Sequence, residues 1–307
     1  MRLSKDLLLV IDGSNLSRRA YEKFKKLQTV NKKSAGLIYG FLRILQSYII
    51  RFRPVYVVIA FDTHESKASN FRKTLLEAYK SHRDKVNLEF DYEDFNHQSL
   101  VVKKLLKYLN IPVIWDSEGL GHEADDYIAY LSKVHKGRVT IISSDKDFGQ
   151  LLEKDRVKIY NPAKEVLIRE STCKEYYGYE PHECVDYLCL VGDKSDDIPG
   201  YQGIGPVKAR KFLDSFGSIV NYLENPKAKF RGIDREGLEY LYQRNPDLID
   251  LKLALEKYPI EKVPIIYSKF QQIHYDKWAR LLNKYTLRTF MNDEFLEPFK
   301  RLKVWQE

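Results

Sequence analysis

Nine carboxylates fall in five short clusters along this 307-residue chain: Asp12, Asp62, Glu123 with Asp125 and Asp126, Asp145 with Asp147, and Asp193 with Asp196. Most stand where a strand-like apolar run has just ended. The formal net charge is +8, from 51 Lys+Arg against 43 Asp+Glu, so this much local acid in a basic protein calls for a counter-charge. Divalent cations are the natural candidate, because hard ions take oxygen ligands. Two such ions suit in-line displacement at phosphorus, one turning water into a nucleophile and the other stabilising the leaving oxygen.

Spacing supports a shared site. Glu123 and Asp126 are three apart and share one helix face, with the small Ala124 between them and Asp125 on the flank. Acids in a first helical turn also compensate the helix dipole, which accounts for one cluster but not for five. Asp145 closes a strand and Asp147 opens the turn after it, while Asp193 and Asp196 repeat the three-apart spacing. No Ser/His/Asp order or Cys/His pair competes. The histidines are scattered, His122 reading as a surface or capping residue, and the absence of nitrogen and sulfur from the clusters argues against zinc.

The elements that would position these acids can be read from periodicity. Apolar runs at Leu7 to Ile11, Val55 to Phe61, Ile111 to Trp115 and Val139 to Ile142 have strand length. Between them lie helical spacings, such as Leu37, Phe41, Leu45 and Tyr48. The alternation predicts an α/β fold, a parallel central sheet flanked by helices, in which ligands bind beyond the carboxyl ends of the strands. Residues 1–178 form this core. From about residue 180 the pattern is wholly helical, broken at Pro181, Pro199 and Pro206, and no strand is expected after Ile168. Residues 179–307 then form a helical part, its end packed on the main body.

Residues 64–95 interrupt the alternation. Within Lys67 to Lys85, six basic residues (Lys67, Arg72, Lys73, Lys80, Arg83 and Lys85) stand against two acids, with Phe71 and Tyr79 interleaved. A basic, aromatic insert over an acidic edge suits a gate for nucleic-acid strands, and a solvated helix pair is the plainer alternative. Further on, Gly203-Ile-Gly205-Pro206 is followed by Lys208, Arg210 and Lys211. The glycines permit a tight turn, proline fits a helix start, and free N–H groups there can hold a phosphate. Such a helix-hairpin-helix, over about residues 198–216, grips duplex backbone without reading sequence; an ordinary interhelical turn is the other possibility.

The apolar run at residues 7–11 is too short for a membrane or signal segment. Cys173, Cys184 and Cys189 form no CxxC and read as buried thiols of a reducing, cytoplasmic compartment.

Taken in order, Asp12-Gly-Ser-Asn, Phe61-Asp, Tyr79-Lys-Ser-His-Arg, Glu123-Ala-Asp-Asp, Asp145-Lys-Asp-Phe-Gly-Gln-Leu, Gly192-Asp-Lys-Ser-Asp-Asp-Ile-Pro-Gly and Gly203-Ile-Gly resemble the flap endonuclease and 5′-3′ exonuclease family. The likeness is to the 5′-nuclease domain of bacterial DNA polymerase I and to stand-alone bacteriophage 5′ nucleases, over about residues 7–220. It implies a PIN-like core with a helical arch at 64–95. Asp12, Asp62, Glu123, Asp125 and Asp126 would form a first metal group, and Asp145, Asp147, Asp193 and Asp196 a second. Lys80 and Arg83 would polarise the scissile phosphate at the foot of the arch, with Arg72 as a further arch cation and Tyr79 as a DNA contact. Gly203, Gly205, Lys208, Arg210 and Lys211 would anchor duplex, and the hairpin can also bind K+.

The resemblance implies a Mg2+-dependent, structure-specific 5′ nuclease, with Mn2+ as a substitute ion. It would work as a monomer on branched, nicked or 5′-ended duplex DNA, on RNA-DNA hybrid ends, and beside replication proteins. A non-catalytic branched-DNA binding protein on the same fold would show missing ligands, and none of the nine is missing. A small RNA-cutting α/β domain would be shorter and lack arch and hairpin. In one departure, Asp197 stands where polymerase-linked relatives usually carry Asn, adding a carboxylate beside the second group.

Overall fold

The computed structural model describes residues 4–62, 70–81, 90–116, 119–266 and 272–305. Among the described residues, nine strands run as β1 Ser4–Asp12, β2 Tyr56–Phe61, β3 Val113–Trp115, β4 Gly137–Ile142, β5 Val157–Asn161, β6 Val166–Ile168, β7 Gly192–Asp193, β8 Ile198–Pro199 and β9 Ile265–Ile266. The helices of the first half are α1 Gly13–Phe24, α2 Gly36–Phe52, α3 Phe71–Leu75, α4 Tyr92–Tyr108 and α5 Ala124–Val134. Those of the second half are α6 Cys173–Tyr177, α7 Cys184–Val191, α8 Pro206–Phe216, α9 Ile219–Glu224, α10 Arg235–Ile249, α11 Leu251–Lys257, α12 Tyr275–Lys284 and α13 Asp293–Lys300.

The main sheet has the order β6-β5-β4-β1-β2-β3-β9. Its five inner strands, β5, β4, β1, β2 and β3, are parallel, and β6 and β9 close the edges antiparallel. In β1 all of Leu8, Leu9, Val10 and Ile11 are fully buried, as both faces of a parallel sheet must be. Their side chains alternate: Leu8 and Val10 pack with Tyr127, Ile128 and Leu131 of α5, whereas Leu9 and Ile11 join the core under α1, α2 and α4. The register brings Asp12 beside Ala60 at the carboxyl edge, one step from Phe61 and Asp62. The expected acid-lined edge therefore follows from strand order.

Strands do occur after Ile168, contrary to the expectation of a wholly helical end. The two-residue ribbon β7-β8 carries Asp193, and β9 pairs with β3 from far along the chain. Elements of two residues carry no period, so only tertiary pairing reveals them. The ribbon also needs glycine. Gly192 has φ +79°, and a Cβ there would stand 2.4 Å from the Gly200 nitrogen.

The C-terminal helices pack on the main body as expected. Trp278, Leu282, Phe290, Phe295 and Phe299 are buried in the core that includes α2 and α4, and the Trp278 indole donates to the Phe290 carbonyl at 3.1 Å. Of the anticipated arch, only residues 70–81 and 90–95 are described; Arg83, Lys67 and Lys85 lie outside the described residues. Among the described residues no helix is long and apolar enough to cross a membrane.

Candidate metal centre

Asp12 ends β1 and caps α1. Its carboxylate accepts from the Asn15 backbone N–H at 2.8 Å and from the Ser143 hydroxyl at 2.9 Å. Burial, and then the charges of Asp62 and Asp145, push it up to about 7. Asp62 follows β2 and accepts from the Ala124 N–H at 3.0 Å. Asp125 is driven well above the carboxylate range by burial, with Asp145, Asp62 and Asp12 adding to it and Lys80 opposing. These acids thus crowd one another, and Asp145, assigned by the resemblance to the second group, presses on the first as well.

Asp147 opens a 3₁₀ turn, Asp193 sits in β7, and Asp196 follows in the loop to β8. Each places a carboxylate oxygen within 4.8 Å of the others. Burial raises Asp147 well above its ordinary value, and Asp145, Asp193 and Asp196 reinforce this. Its Oδ1 is buried without a hydrogen-bond partner. An orphaned carboxylate oxygen among other acids fits a divalent cation, since hard oxygen donors and mutual repulsion are both satisfied by one. Asp193 differs: burial would raise it, but Ser195, through its hydroxyl at 2.6 Å and N–H at 2.8 Å, and Lys146, at 3.3 Å, hold it low. Ser143, Lys146 and Ser195 are partners that the acid spacing did not single out, although each lies next to a clustered acid or two positions from one.

Two members of the expected first group are engaged elsewhere. Glu123 caps α5 in a reciprocal box with Asp126, whose carboxylate accepts the Glu123 N–H at 2.9 Å. The Lys80 ammonium lies 2.8 Å from both Glu123 oxygens, and the Tyr79 hydroxyl donates to Glu123 at 2.8 Å. Burial would raise Glu123, yet Lys80 and Arg72 bring it down to about 2. Asp126 takes the Arg72 guanidinium in two hydrogen bonds, 3.0 and 2.7 Å long. That pairing occupies both its oxygens.

Arg72 therefore departs from its expected role as an arch cation meeting DNA. It is 1% exposed, and its Nε donates to the Leu248 carbonyl at the end of α10. Tyr79 likewise is not an exposed stacking ring: it is 2% exposed, with its hydroxyl between Glu123 and Asp196, the latter at 3.3 Å. Arg210 is tied to Glu183 by two bonds of 2.6 and 2.7 Å and to Asp214 at 3.0 Å, so it joins helices rather than facing outward. His122, expected at the surface or as a cap, is 8% exposed and packs against Tyr127, where burial lowers its pKa. Asp197 adopts φ +56°, a conformation that short polar side chains tolerate, and accepts from the Ser81 hydroxyl at 3.3 Å.

The hairpin begins at β8, whose Ile198 pairs with Asp193. Gly203 has φ +79°, and a Cβ at either Gly203 or Gly205 would meet nothing within 4 Å. Pro206 starts α8. Lys208 reaches back to the Gly203 carbonyl at 2.8 Å, and Lys211 is exposed.

A family model for the 5′-3′ exonuclease N-terminal resolvase-like domain matches residues 7–178, and one for the 5′-3′ exonuclease C-terminal SAM fold matches residues 179–255. With the doubly covered sheet and its crowded acidic edge, these matches define a metal-dependent nuclease. The chain belongs to the 5′-3′ exonuclease family. It is 37% identical over 262 residues to a 5′-3′ exonuclease of Aquifex aeolicus, covering 81% of this chain and 84% of that one. It is also 34% identical over 256 residues to the thermostable DNA polymerase I of Thermus thermophilus, covering 82% of this chain but only 28% of that longer protein. In fold, the bacteriophage T5 D15 protein crystallised with metal ions superimposes with a TM-score of 0.67 at 21% identity, covering 95% and 99% of the two chains. The catalytic core of Rad2 in complex with DNA gives 0.53 at 17% identity, covering 97% and 92%.

Proposed function

We propose that this nuclease requires Mg2+ and hydrolyses phosphodiesters at the 5′ ends and flaps of branched or nicked duplex DNA, leaving 5′-phosphate and 3′-hydroxyl. The observation that carries the reading is the crowding of Asp147, Asp193 and Asp196 within 4.8 Å around an unpartnered Asp147 oxygen, next to Asp12, Asp62, Asp125 and Asp145. Those seven carboxylates would hold two ions, while Glu123 and Asp126 fix the helix start and the cations behind it. Bound there, the metal supplies Lewis acidity: it lowers the pKa of water and neutralises charge on the phosphoryl group.

The remaining chemistry belongs to this chain's side chains. Burial would strip the proton from Lys80, but Glu123 and Asp196 keep its pKa well above the lysine range. It therefore contributes fixed positive charge toward the scissile phosphate rather than a transferable proton. Tyr79, raised by burial and by Glu123, stays a neutral donor and orients Glu123 against Asp196. Likeness to proteins described as a T5 flap endonuclease in complex with DNA and metal ions, and as Rad2 with DNA substrate, supports DNA as the ligand. The hairpin would hold it through the open glycines, the N-terminus of α8, Lys208 and Lys211. Potassium at the Gly203 carbonyl would have to displace the Lys208 ammonium.

The test compares labelled flap, nicked, blunt and RNA-primed duplexes with Mg2+, with Mn2+ and with chelator. Cleavage of the flap that survives complete chelation would overturn the reading.

A further inference from the structure

Residues 225–234 link α9 to α10 without regular structure, yet both ends are clasped. Arg235 donates to the carbonyls of Leu223 at 2.6 Å and Asn225 at 2.7 Å. At the other end the Tyr201 hydroxyl, on the hairpin itself, accepts the Asp234 N–H at 2.8 Å and donates to the Asp234 carbonyl at 3.3 Å. Between the clasps the residues alternate. Ala228, Phe230 and Ile233 pack inward, Phe230 against the Phe212 ring of α8 at 5.4 Å. Lys227, Lys229 and Arg231 point outward and are exposed.

None of these three cations forms an ion pair among the described residues. The acid that ends the loop, Asp234, is occupied as the cap of α10, accepting the Gly237 N–H at 2.8 Å. At Gly232 the loop passes the Lys208 ammonium, which would stand 3.9 Å from a Cβ at that position. The loop therefore adjoins the hairpin at Lys208, with the exposed Arg231, Lys229 and Lys227 preceding Gly232 along the chain. A merely solvated loop has no need of ordering at both ends, which costs conformational entropy for every residue fixed. Like charges held two positions apart repel one another until a polyanion neutralises them.

We infer that the clasped loop 225–234 is a second duplex-binding element, its three cations contacting backbone phosphates beyond those held at the hairpin. The inference rests on the hairpin-duplex reading above. Phosphate neutralisation releases counterions, so each lost contact lowers the slope of log affinity against log salt by about 0.9 on duplex DNA.

The experiment measures equilibrium binding of the full chain to a nicked duplex in chelator, so that no cleavage intervenes, across a KCl series. K227A/K229A/R231A is expected to weaken binding and lower the slope by about 2 to 3. A K227R/K229R variant, which keeps the charges, is expected to retain the parent slope. The hairpin is tested separately by Gly205→Leu, which adds a side chain into open space outside the protein. If Gly205→Leu weakens binding while the triple variant keeps the parent slope, the loop inference fails and the hairpin reading stands. If neither variant changes binding, both fail. If only the triple variant loses slope, the loop is a contact and the hairpin reading fails.

Discussion

Arg72 and Asp126 form a two-pronged ion pair, 2.7 and 3.0 Å long, in which the residues are 1% and 0% exposed. The pair ties α3 to the start of α5, and through the Leu248 carbonyl to α10. Arg72→Met would leave a buried, uncompensated carboxylate, so a loss of about 3–5 kcal/mol in urea unfolding is expected. Asp126→Asn should likewise lower stability while shifting the Mg2+ concentration for half-maximal cleavage only slightly. A large shift in that concentration with unchanged stability would return Asp126 to the metal ligands.

Lys80 reaches the acidic edge as a permanent cation. Lys80→Ala is expected to reduce single-turnover cleavage of a flap by about 10²–10³, the range for losing one electrostatic contact to a transition state. Binding measured in chelator should change far less. A defect in binding alone would contradict the assignment.

Crowding makes the metal-free protein sensitive to pH. Asp12 is pushed up to about 7 from 3.8, first by burial and then by Asp62 and Asp145. A group raised on folding stabilises below its unfolded pKa, and that contribution is lost as pH rises through the folded value. Asp125 and Asp147 shift in the same direction. Melting temperature in chelator should therefore fall as pH rises from about 4 to 7, and Mg2+ should reduce the fall. Glu123 acts oppositely: lowered from 4.5 to about 2, its contribution is present above the first value and lost as pH drops through the second. Melting that is flat from pH 4 to 7 without metal would refute the crowding argument.

The same repulsion separates activity from stability. Asp147→Asn is expected to abolish flap cleavage and yet to raise the melting temperature in chelator, because it removes one of several buried like charges. Lower stability without metal would show that Asp147 is held by contacts rather than opposed by neighbours.

The β7-β8 ribbon offers a steric test. Gly192→Ala would force its Cβ against the Gly200 backbone in a left-handed conformation, displacing Asp193. Weakened Mg2+ activation, read from cleavage against metal concentration, is the expected result. Unchanged activation would mean that the ribbon does not set the position of Asp193.

Local pattern was enough for the sheet. Continuous apolar runs such as Leu8 to Ile11, separated by helical spacings, can be buried only between two helical layers, and parallel register then carries the acids that end those runs to one edge. What pattern could not decide is which partner a charged side chain takes. Arg72 meets Asp126 from 54 positions away, Tyr79 meets Asp196 from 117, and β9 pairs with β3 from the far end of the chain. A cation and a ring that read along the chain as DNA contacts are instead enclosed among acids. Their sequence neighbourhood reports charge and periodicity, whereas burial and pairing arise only when distant elements close over them.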